Sequence, residues 1–395
     1  MKSSFFKMAI AASIIAACGV GIFLWSGTQS VALADVLARI NQGGAYSYRM
    51  KMSTTMTGDA IPESAQNQEI QGTILIVPEV GMKMTMEMLN DADQLKQSVT
   101  EQYILTQQNR SLMMMHEQKM YLEMELNDQI LEKTKHQSYD PRMMVEQILE
   151  CDYEELGRSR INGIDVEGFQ TSDPAYMGGV LGEMDVTLWV DTETWLPVQM
   201  DMTIDMEMPM SSLGKMHTTG VLTDFQWDVA VDGTEFDPVI PDDYTSMTDG
   251  PLKMPEMDEA TAIEGLRLYS KYTDRFPEDL NMMKLIHAGG EIMQAGTPAA
   301  QALKESLKGG DRESRSGELL KVTLQVQAAG GFYTLLLQDE KDPVYHGKIV
   351  TPEMPDAVLL RWKVSEDEYR VIFGDLEAET VTAAQLAELE SGLPQ

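Results

Sequence analysis

Two cysteines, five histidines and 7% aromatics stand among 395 residues, and each scarcity closes a route. Cys18 lies in an N-terminal apolar run and Cys151 stands alone, so no disulfide framework and no cysteine spacing for zinc is present. His116, His136, His217, His287 and His346 show no metal-ligand spacing. There is no HExxH helix, Walker loop, GxSxG elbow or GxGxxG opening a helix. Basic residues are also few, 30 against 63 acidic ones, for a net charge of −33. A chain this acidic repels phosphate backbones and anionic headgroups at long range, so nucleic acid is discounted as a partner. Carboxylates are so abundant that no pair stands out as an acid–base couple. Asp191, in Trp189-Val190-Asp191, reads as a turn initiator. The expectation is a non-catalytic protein with no cofactor.

What the chain has in excess is methionine, 31 residues. In the stretch from Leu188 to Met210 a short strand turns through Asp191-Thr192-Glu193-Thr194 and returns with a period of two. Val198, Met200, Met202, Ile204, Met206, Met208 and Met210 fall on one side, and Gln199, Asp201, Thr203, Asp205 and Glu207 on the other. Pro209 cannot donate to a ladder, which predicts fraying near that end. The same alternation recurs at Tyr48, Met50, Met52 and Met56, at Met82, Met84, Met86 and Met88, and at Met120, Leu122, Met124 and Leu126. Several antiparallel strands thus share one methionine-rich face. Thioether side chains are flexible and polarizable, suited to an adaptable apolar surface.

Lys2 and Lys7 precede Met8 to Trp25, an uncharged apolar run of 18 residues. Its length favours an uncleaved signal anchor with the remainder outside the cytoplasm. A cleaved signal ending at Ala32-Leu33-Ala34 and a lipidated Cys18 after Ile15-Ala16-Ala17 are the competing readings. All three place the bulk of the chain in an extracytoplasmic, periplasmic setting.

Val31 to Asn41 reads as an amphipathic helix ended by Gly43-Gly44. Asp140-Pro141 caps a second helix through Glu150. Strands are expected at 45–57, 70–77, 80–89, 98–107, 111–115, 119–126, 157–161, 164–171 and 215–229, with Asn162-Gly163 marking a hairpin. After a linker the composition changes. Helices are expected at 259–272, 280–293 and 298–308, a charged loop at 311–318, and strands at 319–327, 331–338, 357–364 and 369–373. Thr382 and Gln385 form a capping box for a last helix. The fold class is α+β: a curved antiparallel half-barrel sheet with helices on its concave side, plus a small C-terminal α+β unit. The divisions are 1–30 anchor, 31–248 half-barrel, 249–258 linker and 259–395 C-terminal unit.

Val36-Leu37 to Tyr48, Ile161 to Phe169 (INGIDVEGF), Leu188 to Val198 (LWVDTETWLPV) and Phe236 to Tyr244 (FDPVIPDDY) resemble the outer-membrane lipoprotein carrier (LolA-like) superfamily. That superfamily includes extracytoplasmic sigma-regulator sensors of the RseB/MucB type. The resemblance implies a half-barrel whose concave side, plugged by helices, binds lipid or acylated protein. It covers only a small part of the chain. About seven residues precede the apolar run, too few for a zinc-type anti-sigma domain. The expected ligand-binding residues are Met82, Met84, Met86, Met88, Met200, Met202, Ile204 and Met206. The expected partners are a lipid or acylated protein, the membrane through the N-terminal helix, and an envelope protein. The alternatives are a ligand-free scaffold whose C-terminal unit contacts a protein partner and, less favoured, Cu(I) held by thioethers at Met113-Met114-Met115-His116 and the M-x-M runs.

Overall fold

The computed structural model describes residues 31–58, 66–89, 96–135, 140–176, 182–207, 214–281, 285, 287–309 and 312–393. The expected anchor, Cys18 and Met208 to Met210 lie outside these residues. Among the described residues no helix is long and apolar enough to cross a membrane.

The larger unit is one open, mostly antiparallel sheet. After helix α1 (Leu33–Asn41) come β1 (Tyr46–Thr57), β2 (Asn67–Val77), β3 (Gly81–Leu89), β4 (Lys96–Leu105), β5 (Arg110–Met115) and β6 (Met120–Glu125). Two helices follow, α2 (Asp128–Lys135) and α3 (Pro141–Glu150). The chain then returns to the sheet as β7 (Glu154–Ile161), β8 (Ile164–Thr171), β9 (Glu183–Asp191), β10 (Pro197–Glu207) and β11 (Lys215–Trp227). The order is β6-β5-β4-β3-β2-β1-β11-β10-β9-β8-β7. Two short strands, β12 (Thr245–Ser246) and β13 (Leu252–Lys253), add in parallel to β6. Among the described residues the β6 and β7 sides do not pair with each other.

Local chemistry explains the turns. Asn162 and Gly163 both take positive φ, 50° and 87°, as a two-residue type I′ hairpin requires. Asp191 Oδ1 accepts the backbone N–H groups of Glu193 and Thr194 at 2.7 and 3.3 Å, so it initiates its turn as expected. Asp140 caps α3, its Oδ1 accepting from Arg142 N at 2.9 Å, and Pro141 opens the helix. Helix α2 had no counterpart in the sequence reading. Its cap is Asn127, whose Oδ1 accepts from Ile130 N at 2.8 Å.

One face of the sheet packs against the three helices. Leu33, Val36 and Ile40 of α1, Leu131 of α2 and Met144, Val145 and Ile148 of α3 share a buried core with the sheet. The opposite face of β4–β6 is covered by the segment carrying Phe236, Ile240 and Tyr244, where His116 Nδ1 meets the Tyr244 hydroxyl at 2.6 Å.

Beyond Met257 lie α4 (Glu259–Thr273), α5 (Ala288–Gln294), α6 (Pro298–Gly309) and α7 (Arg312–Gln338). A separate four-stranded sheet follows, β14 (Val344–Tyr345), β15 (Val358–Lys363), β16 (Glu368–Phe373) and β17 (Ala378–Thr382), and then α8 (Ala383–Ser391). Thr382 and Gln385 form the expected capping box. The helix expected at 280–293 is described only as α5. The loop expected at 311–318 and the strands at 319–327 and 331–338 are one 27-residue helix, α7. Its buried positions, Val322, Val326, Ala329 and Leu336, recur at a helical interval. Close packing against α4 selects that conformation: a Cβ built on Gly265 would sit 2.4 Å from Gln325 O.

Candidate functional site

Register turns the methionine pattern into rows that run across the sheet. One row is Met86, Gly72, Met50, Leu222, Met200 and Leu188, on β3, β2, β1, β11, β10 and β9. The next is Met88, Ile70, Met52, Gly220, Met202 and Val186 on the same strands. Beyond it, Ile204 pairs with Thr218 and Met184, and Met206 with Met216. All eight residues singled out from the sequence therefore share one face, because paired residues project to the same side.

They do not form one cluster. Strands β3 and β10 are separated by β2, β1 and β11, so the two groups lie about 19 Å apart at ~4.8 Å per strand. Met50, Met52 and Leu222 bridge them. Two glycines shape the bridge. A Cβ on Gly220 would meet Met202 Cγ at 2.7 Å, and one on Gly72 would meet Met86 Cγ at 3.4 Å. The methionines thus lean into the space these glycines leave.

The helices divide this face. Met82, Met84, Met200 and Ile204 are buried, with Met84 2% and Met200 1% exposed. Met86, Met88, Met202 and Met206 are half-buried, as are Met52, Met56, Ile70, Met184 and Met216. The half-buried set occupies the end of the sheet away from Tyr46. Sequence alternation showed which residues share the face, while the division depends on where α1–α3 lie.

Polar latches hold the helices at the Tyr46 end. The Tyr46 hydroxyl donates to Asp140 Oδ1 at 2.6 Å, and the Arg142 guanidinium lies 5.3 Å over the Tyr46 ring. Burial, then the neighbouring Asp140 carboxylate, pushes the Tyr46 hydroxyl well above the usual tyrosine range. Buried Glu167 accepts from Val31 N at 2.8 Å through Oε2. Between the β2–β3 turn, the end of β4 and the start of α3 opens a cleft of about 570 Å3.

The Met113-Met114-Met115 run does not gather its thioethers. Neighbouring residues of a strand face opposite sides, and Met114 is buried with Tyr103 and Phe236 on the face away from the helices. Met113-Met114-Met115 therefore does not converge three thioethers. Among the described residues no group of three His, Cys, Asp or Glu side chains is placed to hold a metal ion. Cys151 is a free thiol beside the C-terminus of α3, its pKa raised by burial and by nearby carboxylates.

No protein-family model matches the chain, and no curated protein matches it. Solved structures do. LprF from Mycobacterium bovis is 12% identical, with 55% of this chain and 100% of that chain covered at a TM-score of 0.30. The lipoprotein LppX from Mycobacterium tuberculosis is 15% identical, with 50% and 98% covered at 0.29. MucB is 11% identical, with 52% of this chain covered at 0.28, and the chain spans 60% of MucB's length. MucB has also been solved with MucA from Pseudomonas aeruginosa. Each is a protein this chain is similar to.

Proposed function

We propose that this chain is a non-catalytic extracytoplasmic protein that binds the acyl chain of a lipid or acylated protein on its methionine face, as a carrier or envelope sensor. In this reading the sheet is a curved half-barrel, α1–α3 are its displaceable plug, and residues 1–30 anchor it as a single-pass segment. Residues 31–248 form the binding unit, 249–258 the linker, and 259–395 a unit that meets an envelope protein. One observation carries the reading: away from Tyr46 the helix cover thins, leaving Met52, Met86, Met88, Met202 and Met206 half-buried on one face. Half-buried apolar side chains gathered on one face leave contacts that an apolar ligand can complete. Thioethers suit it because they repack around chains of different length.

The test uses a fluorescent fourteen-carbon acyl probe and the full chain. Met88→Glu and Met202→Glu each place a charge among half-buried side chains, where folding tolerates it better than at Met84. Both variants are expected to weaken the probe at least ~10-fold with an unchanged circular dichroism spectrum. Unchanged binding in both, or no binding by the parent chain, favours the scaffold reading, in which the helices alone complete the core.

A further inference from the structure

The cleft at the start of α3 borders the core beneath the helices, and a ligand passing from it toward the half-buried methionines displaces the helix cover over Met84. Its floor is Ile76, Met82 and Ile104, and Met82 and Ile104 belong to the core beneath the helices. Its rim is polar: Arg142 and Asp140 from the start of α3, Glu79 from the β2–β3 turn, and Thr106 and Gln107 after β4. At about 570 Å3 it is the size of a small-molecule site, with an apolar base and a few placed polar groups.

Arg142 is set in place before any ligand arrives. Its Nη2 donates to Gly43 O at 3.3 Å, its plane lies over Tyr46, and its Nε finds no acceptor among the described residues. A fixed guanidinium loses little freedom on binding a phosphate or carboxylate. The surroundings narrow the choice. Asp140 already takes the Tyr46 hydroxyl and Arg142 N on Oδ1, and Glu79 is exposed at the turn. One cation therefore faces two carboxylates, on a chain of net charge −33. A lipid with net negative charge meets repulsion there. An uncharged one leaves Arg142 unused. A headgroup that brings its own cation matches both signs.

We propose that this cleft seats a zwitterionic headgroup, phosphate at Arg142 and ammonium toward Glu79 and Asp140, while the acyl chain follows Met82 onto the methionine face. This rests on the acyl-binding reading above.

The test titrates the full chain by calorimetry with three single-chain lipids of equal acyl length, each below its micelle concentration. They are lysophosphatidylethanolamine, lysophosphatidylglycerol and a monoacylglycerol. The zwitterion is expected to bind about tenfold tighter than either of the others. Arg142→Gln should abolish that advantage, bringing the three lipids to equal affinity, with an unchanged circular dichroism spectrum reporting that the variant is folded. Arg142→Lys should keep part of it. Glu79→Gln, at an exposed turn, should bring lysophosphatidylglycerol closer to the zwitterion. Equal binding of all three lipids, tighter binding of lysophosphatidylglycerol, or an unaffected preference in Arg142→Gln overturns the headgroup assignment and leaves acyl binding standing. If none of the three binds, the acyl-binding reading falls and takes this proposal with it.

Discussion

Gly72 and Gly220 flank the central strand on the methionine face, and their neighbours differ in kind. A Cβ on Gly72 would sit 2.5 Å from Thr85 O, which is backbone, so β2 and β3 must part to accept it. Gly72→Ala is expected to cost ~1–3 kcal/mol in urea unfolding, the range for overpacking. A Cβ on Gly220 meets flexible side chains, Met202 Cγ at 2.7 Å and Met52 Cγ at 3.6 Å. Gly220→Ala should therefore cost less than Gly72→Ala, and should weaken acyl binding by pushing Met202 toward the other half-buried methionines. Tyr46 supplies a pH dependence. Its hydroxyl titrates higher in the folded chain than in the unfolded one, through burial first and Asp140 second. The unfolded state therefore loses its proton near pH ~10 while the folded state keeps it, and stability falls as pH rises beyond that. The slope is ~1.4 kcal/mol per pH unit for each such tyrosine, and Tyr345, whose hydroxyl desolvation pushes the same way, adds another. Denaturant melts from pH 8 to 11 should show the decline, shallower in Tyr46→Phe.

At the scale of elements, α3 is held by one carboxylate with two duties. Asp140→Ala removes the cap of the helix and the acceptor of the buried Tyr46 hydroxyl together. The expected loss is ~2–4 kcal/mol, with faster hydrogen exchange confined first to α3. If exchange quickens equally across the sheet, α3 is not a separable plug. The elements also show how much of the fold was legible. Alternating methionines, Asn162-Gly163 and Asp140-Pro141 each carry a local signal that the tertiary structure does not override. Val322, Leu324 and Val326 alternate with Thr323 and Gln325 in the same manner, yet they belong to α7. There, packing on Gly265 of α4, and the Met257 side chain over Gly331, outweigh β propensity. The candidate site was legible as a face and not as a boundary. Met84 and Met88 carry the same local pattern, and only the position of the helices makes one buried and the other half-buried.

Over the whole molecule, a net charge of −33 makes the folded state repel itself. The melting temperature should rise as salt is raised toward ~0.5 M, where screening acts within a few ångströms. A flat or falling profile would show that ion pairs such as Arg370–Glu259 and Lys83–Glu235 outweigh the repulsion. The segment leading to α4 is tied back to α2 and the residue before it. Met257 N donates to Gln129 Oε1 of α2 at 2.7 Å, and Asn127 Nδ2 donates to Pro255 O at 3.1 Å. Helix α2 thus touches both the methionine core, through Leu131, and the segment leading to α4. The central claim is that the half-buried methionines hold an acyl chain. Native mass spectrometry of the full chain, released from membranes without detergent exchange, tests it most directly. The account predicts a reproducible added mass of a lipid or acylated peptide, absent from Met88→Glu/Met202→Glu. A bare mass that stays bare after incubation with lipid and lipopeptide would contradict it.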